Sequence, residues 1–164
     1  MSRAFVRELD DQGDNAAPLR PQSPHINYVT PRGLGQLEDK VRDLAEARQA
    51  LVGKEDLSSQ QTLRELEREL AYLNERVKRA VLVEPKAQPL DRVHFGALVE
   101  AEDKEGERLN FMIVGEDEAD ATQGRISWVS PLANALMNAQ VGDVVSWKRP
   151  VGDKELEVLS IRRV

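Results

Sequence analysis

At 164 residues the chain has room for one domain or two small ones, and 32 % charged against 40 % apolar residues implies much surface for little core. A net charge of −6 with pI ≈ 5.1 argues against a protein that lives mainly on nucleic-acid phosphates and suits a basic protein partner. With no Cys, a disulfide framework, a thiolate metal site and a Cys nucleophile are all excluded.

Residues 1–27 read as a disordered tail. Pro18, Pro21 and Pro24 punctuate it, Asp10, Asp11, Asp14 and Asn15 make it polar, and only Phe5 and Val6 offer an apolar pair. Its start lacks the apolar run of a signal peptide, and no segment is long enough to span a bilayer, so a soluble, cytoplasmic protein is expected.

Thr30-Pro31 is a helix start, Thr as cap and Pro at the first helical position, with Tyr28 or Val29 placed to pack back on Leu34. The first helix then carries Leu34, Leu37, Val41, Leu44 and Leu51 to about Val52. A second, from about Ser59 to Val81, carries Leu63, Leu66, Leu70, Leu73, Val77 and Ala80. Steps of three and four put one narrow apolar stripe on each helix. Gly53 can end the first, and Asp56, Ser58 or Ser59 can cap the second. The pattern predicts an antiparallel coiled-coil hairpin over 28–84, with Glu55 and Asp56 side by side at its tip. Pairs such as Glu65 with Arg68 lace its solvated face, and Arg76, Lys78 and Arg79 read as cations near a helix end.

Glu84-Pro85 to Pro89 breaks the pattern and sets a linker at 85–90. The period then changes to two. Val93, Phe95, Ala97, Val99 and Ala101 alternate along a strand, and Leu109, Phe111 and Ile113 return beyond a turn at Asp103–Gly106. Asp117–Asp120 reads as an ordinary acidic surface loop. Arg125–Val129 is a third strand, Ser130-Pro131 opens a short helix to Asn138, and Val144–Lys148 and Glu155–Arg162 are the fourth and fifth strands. Residues 91–164 are thus a small, mostly antiparallel sheet with one helix, and the chain as a whole is α+β.

No phosphate loop, zinc spacing or nucleophile–base pair is present. His25 and His94 have no partner at metal spacing, and Ser58 and Ser59 have no nearby His. The chain is not expected to be an enzyme in its own right.

Four stretches, in order, resemble the Gre-factor family of bacterial transcription elongation factors. Tyr28-Val-Thr-Pro-Arg-Gly-Leu-Gly-Gln-Leu37 is similar to the family's opening of helix 1. Val93-His-Phe-Gly-Ala-Leu-Val99 is similar to its V-x-F-G-A-x-V strand, and Ile113-Val-Gly-Glu-Asp-Glu-Ala-Asp120 to its I-V-G-x-D-E-A-D. Ile126-Ser-Trp-Val-Ser-Pro-Leu-Ala-Asn-Ala-Leu136 is similar to its I-S-x-x-S-P segment, and Val141-Gly-Asp143 follows in place. The likeness spans about Tyr28 to Val164.

The resemblance implies an FKBP-like second domain that docks at the rim of the secondary channel of bacterial RNA polymerase, with Trp128, Val129, Ser130 and Pro131 in the docking loop. It implies a hairpin that enters the channel, with nucleic acid met only through the transcription complex and no membrane involved. Acids at the tip, here Asp56 supported by Glu55, would hold a Mg²⁺ shared with the polymerase, whose own RNA cleavage the factor stimulates. No cofactor of its own is implied, and a monomer is expected.

The sequence departs from the family at the tip. The family reads G-D-L-x-E-N; here Asp56-Leu57 is kept, but Ser59 stands at the second acid and Gln60 at the Asn. Gly33 to Asp56 is 23 positions and Asp56 to Ala80 is 24, roughly a heptad short per arm, which withdraws the tip by about 10 Å. Val129 also replaces a residue that is often polar in the family. Two versions follow: a cleavage factor working through Asp56, or a channel-binding regulator without cleavage, which the short arms and Ser59 favour. Two readings from other classes are an FKBP-like prolyl isomerase, for which Phe95, Phe111, Trp128 and Trp147 are the available aromatics, and a coiled-coil assembly module.

Overall fold

The computed structural model describes residues 20–163; Phe5, Val6 and the rest of residues 1–19 lie outside them. Tyr28–Val29 (β1) leads into Pro31–Leu51 (α1). Thr30 caps α1 by accepting the Gly33 N–H at 3.0 Å, and Pro31 takes the first helical position, where no N–H is needed. Val52 closes the helix with a bond to Arg48, and Gly53, at φ +86°, reverses the chain where a side chain would be strained. Asp56 caps Leu57–Arg79 (α2) by accepting the Ser59 N–H at 2.9 Å. At 21 and 23 residues the arms are about 31 and 34 Å long.

Leu37, Leu70 and Leu73 are buried in the seam, whereas Leu51, Leu63 and Leu66 nearer the tip are half-covered. The hairpin is therefore held chiefly at its base, where Val29 joins Leu37 and Leu73, with Leu34 and Val77 packed against them. Exposed pairs at Arg48–Glu67 and Glu75–Arg79 take the place of the expected Glu65–Arg68 pair.

After α2, Val81–Leu82 (β2) pairs in parallel with β1. The sheet that follows comprises Leu98–Glu102 (β3), Arg108–Val114 (β4), Arg125–Ser127 (β5), Val144–Trp147 (β6) and Lys154–Arg162 (β7), in the order β5-β4-β3-β7-β6. Pro131–Leu136 (α3) covers it, and Val93, Val99, Ile113, Leu136, Leu156 and Val158 form its core.

The α+β architecture is as the periodicity predicts, with differences of physical origin. The sheet is mixed, because β5 runs parallel to β4. The strand expected from Val93 is laddered only from Leu98: Gly96, at φ +85°, turns the chain and Ala97 bonds back to His94. Val93 and Phe95 are buried all the same, so alternation marks burial here rather than pairing. The tail boundary at 27 also moves. Residues 20–27 lie along the hairpin base and the sheet domain, and Asn27 is buried.

The two parts join through polar groups. Glu118, 6 % exposed in the loop expected to be surface, accepts from the Thr30 hydroxyl. A Cβ on Gly33 would come within 2.7 Å of Glu118 Oε1, and one on Gly115 within 2.3 Å of the Tyr28 carbonyl oxygen. Arg76, expected as a helix-end cation, is instead 1 % exposed and donates to Asp117 at 2.8 Å. The heptad pattern could not announce this, because its partner lies 41 residues away. No helix of the described residues is long and apolar enough to cross a membrane.

Candidate functional site

Two surfaces carry the expected site residues. The first is the hairpin tip, Gly53 to Ser59. Asp56 does two things there. It is the helix cap, and it is an exposed carboxylate at the far end of the molecule. The Ser59 N–H, and then the Ser59 hydroxyl, hold its carboxyl below the usual range, so it is anionic at neutral pH. Capping uses part of its acceptor capacity, and a carboxylate has about four lone-pair sites, so room remains for one further ligand. Glu55 beside it is exposed. Leu57 is 82 % exposed, an apolar residue at the tip without intramolecular cover.

Among the described residues no three His, Cys, Asp or Glu side chains are gathered to hold a metal ion. Asp56 therefore suits a hard cation only as one ligand among others supplied by another molecule. The Ser59 backbone N–H is the donor that Asp56 accepts, and the side chain at the position of the second acid is a hydroxyl, not a carboxylate.

The second surface surrounds Ser130-Pro131. The Ser130 hydroxyl accepts the Ala133 N–H at 3.2 Å, capping α3, and Pro131 is exposed. Val129 is half-buried, its N–H on the Ser127 hydroxyl at 3.3 Å. Trp128, expected in the docking loop, is turned inward. Its ring meets Tyr28 at 5.0 Å and His25 at 5.9 Å, both edge-on, so it packs the N-terminal segment against the sheet.

Beside Ser130 and Pro131 lies a groove of about 510 Å³, lined by Phe111, Ile126, Leu132 and Trp147 among others. Phe111 and Trp147 meet edge to face at 6.4 Å. Of the four aromatics available to a proline-binding pocket, Phe95 is buried in the core and Trp128 packs on Tyr28, which leaves these two. The groove escaped the sequence reading because its walls come from β4, β5, α3 and β6.

A family model described as "Transcription elongation factor, GreA/GreB, C-term" matches residues 87–163. The transcription elongation factor GreB of Neisseria meningitidis serogroup B is 34 % identical over 154 residues, covering 84 % of this chain and 94 % of that one. The GreA of Acidiphilium cryptum is 41 % identical over 98 residues, 59 % of this chain and 62 % of that one. The crystal structure of Thermus aquaticus Gfh1 is matched at 28 % identity with a TM-score of 0.42, over 82 % of this chain and 97 % of that one. The lengths carry information. Since 84 % of 164 residues is about 138, the 154-position match holds about 16 positions this chain does not supply. The 98-position match, at 59 % or about 97 residues, holds almost none.

Proposed function

Since the chain belongs to the GreA/GreB family of transcription elongation factors, we propose that it docks on bacterial RNA polymerase at the rim of the secondary channel and regulates paused or arrested elongation complexes without supplying a full cleavage tip. The groove beside Ser130 and Pro131 receives the rim, and the hairpin enters the channel. The chain carries out no chemistry itself. Any RNA hydrolysis in the complex belongs to the polymerase, and a Mg²⁺ there would be the polymerase's, with Asp56 at most one of its ligands.

The observation that carries this reading is the tip. Its exposed carboxylates are the neighbours Glu55 and Asp56, of which Asp56 is engaged in capping α2, and a Ser, Ser59, is at the place where a second acid would stand. The roughly 16 positions by which this chain falls short of the 154-position match equal about two heptads, the number that a heptad missing from each arm would give, and such a loss withdraws the tip by about 10 Å. A metal–oxygen bond of about 2.0–2.6 Å does not bridge such a gap.

The test uses backtracked elongation complexes assembled with core polymerase. The expected result is no shortened RNA with this protein, together with concentration-dependent inhibition of a known cleavage factor added to the same complexes. RNA shortening that vanishes with Asp56→Ala would make it a cleavage factor and overturn the withdrawn-tip reading. Absence of both cleavage and competition would overturn channel binding.

A further inference from the structure

Residues Arg20–Asn27 cross from one part of the molecule to the other. On the hairpin side, the Arg20 guanidinium lies 4.0 Å from the Tyr72 ring centroid and 3.9 Å from Glu69. The Gln22 side chain donates to the Tyr72 carbonyl at 3.1 Å. On the sheet side, the Ser23 hydroxyl donates to Glu116 at 3.0 Å, and the His25 ring sits on Trp128. The segment ends in a buried hub. The Asn27 amide donates to the Arg76 carbonyl and its oxygen accepts from Arg76 Nη2, each at 2.7 Å. The same guanidinium donates from Nε to Asp117 and lies 3.8 Å from Glu116. One arginine of α2 thus holds both the crossing segment and the loop after β4.

The placement has a mechanical consequence. The direct contacts between hairpin and sheet domain lie at the hairpin base, about 30 Å from the tip along the arms. A rotation of about 10° there displaces the tip by about 5 Å, so small freedom at the base becomes large uncertainty at Asp56. The crossing segment adds attachment points on both sides, and one of them, Trp128, immediately precedes the loop at Val129–Pro131.

We propose that Arg20–Asn27 is a positioning strap, fixing, through the contacts of Arg20 and Gln22 on the hairpin and of Ser23 and His25 on the sheet domain, the direction in which the hairpin tip points relative to the docking face. The proposal deepens the channel-binding reading and rests on it for its functional meaning, but its structural content is tested without polymerase. The sequence contains no Cys, so Lys54→Cys at the tip and Val151→Cys on the exposed turn between β6 and β7 are the only two thiols in a doubly substituted chain. Spin labels on them report the tip-to-sheet distance by pulsed electron resonance.

The expected result is a single narrow distribution in the full chain, broadened at least twofold when Arg20, Gln22, Ser23 and His25 are all changed to Ala. These four are exposed or half-buried, so the far-ultraviolet helical signal should be unchanged and the variant remain folded. A chain lacking residues 1–19 keeps the strap and should stay narrow. An equally narrow distribution in the four-fold variant, or a broad one in the parent chain, would overturn the strap.

In the competition assay the four-fold variant should need roughly ten times the concentration of the parent. A parent chain that fails to compete while the distances behave as expected would sink the channel reading and leave the strap standing.

Discussion

Asp56 serves two masters, and two substitutions separate them. Asn is as good a helix cap as Asp, because both present an oxygen to the N–H three residues on, but only Asp carries charge. Asp56→Asn should leave amide exchange at Ser59 and Gln60 close to the parent, while Asp56→Ala should speed it by exposing the first turn of α2. If the tip acted through its carboxylate on the polymerase, both variants would behave alike in the elongation assay; a difference between them would mean that the cap, and not the charge, is what matters there. The sequence left the cap open among Asp56, Ser58 and Ser59 with the helix starting near Ser59; α2 starts at Leu57, which makes Asp56 the cap. The roles of Arg76 and Glu118 were not legible. Each looks locally like a surface charge, and each is buried by a partner distant in sequence: Asp117, 41 residues from Arg76, and Thr30, 88 residues from Glu118. Asp103 is a third such case. Lys154 at 2.9 Å, with the N–H groups of Glu105 and Glu107, holds its carboxyl below the usual range. A carboxyl with a lowered folded pKa adds stability that is complete above its unfolded value near 3.9 and is lost as pH falls through the folded value. Acid unfolding of the parent should therefore steepen below about pH 4. Asp103→Asn should flatten that limb while lowering stability at neutral pH, where Lys154 loses its counter-charge; an unchanged limb would show that the pair does not contribute.

At the level of elements, two glycines near the start of the fold make opposite demands. Gly35 lies inside α1 with open space where a Cβ would go, so Gly35→Ala should stabilise by about 0.5–1 kcal/mol, the usual penalty for Gly in a helix. Gly115 follows β4, and its missing Cβ admits the backbone carbonyl of Tyr28, which cannot swing aside as a side chain can. Gly115→Ala should cost about 2 kcal/mol through forced separation of β1 from the sheet domain. Urea melts of the two variants check both signs, and equal effects would mean that the junction is softer than the contact implies. The contrast also marks how far pattern reading reached. Helices of 21 and 23 residues announce themselves by steps of three and four, with Thr30 and Asp56 as their caps, and Ser130 caps the six-residue α3. The two-residue pair of β1 with β2 is too short to show a period, and nothing local states that β5 pairs in parallel. The strap was hidden by its composition: Pro21 and Pro24 read as disorder, and most of its hydrogen bonds and ring contacts are to residues elsewhere in the chain.

For the whole molecule the proposed function turns on the distance from the Ser130–Pro131 surface to Asp56, which can be changed without altering either end. Seven residues are close to two helical turns, so a heptad inserted into each arm keeps the apolar seam in phase, with a drift of only about 20°, and advances the tip by about 10 Å. The exposed stretch on the tip side of the Arg48–Glu67 pair tolerates such an insertion, because the buried part of the seam lies nearer the base. Ser59→Glu supplies the second acid. Three chains then separate reach from chemistry in the backtracked-complex assay. Ser59→Glu at the native length should remain without cleavage, because its acids stop short. The lengthened hairpin with Ser59 kept should cleave weakly at most, since Asp56 alone reaches. The lengthened hairpin with Ser59→Glu should cleave, and Asp56→Ala in that background should abolish it. Cleavage by Ser59→Glu at the native length would show that docking already places the tip at the active centre, and the missing acid would then be the whole of the difference.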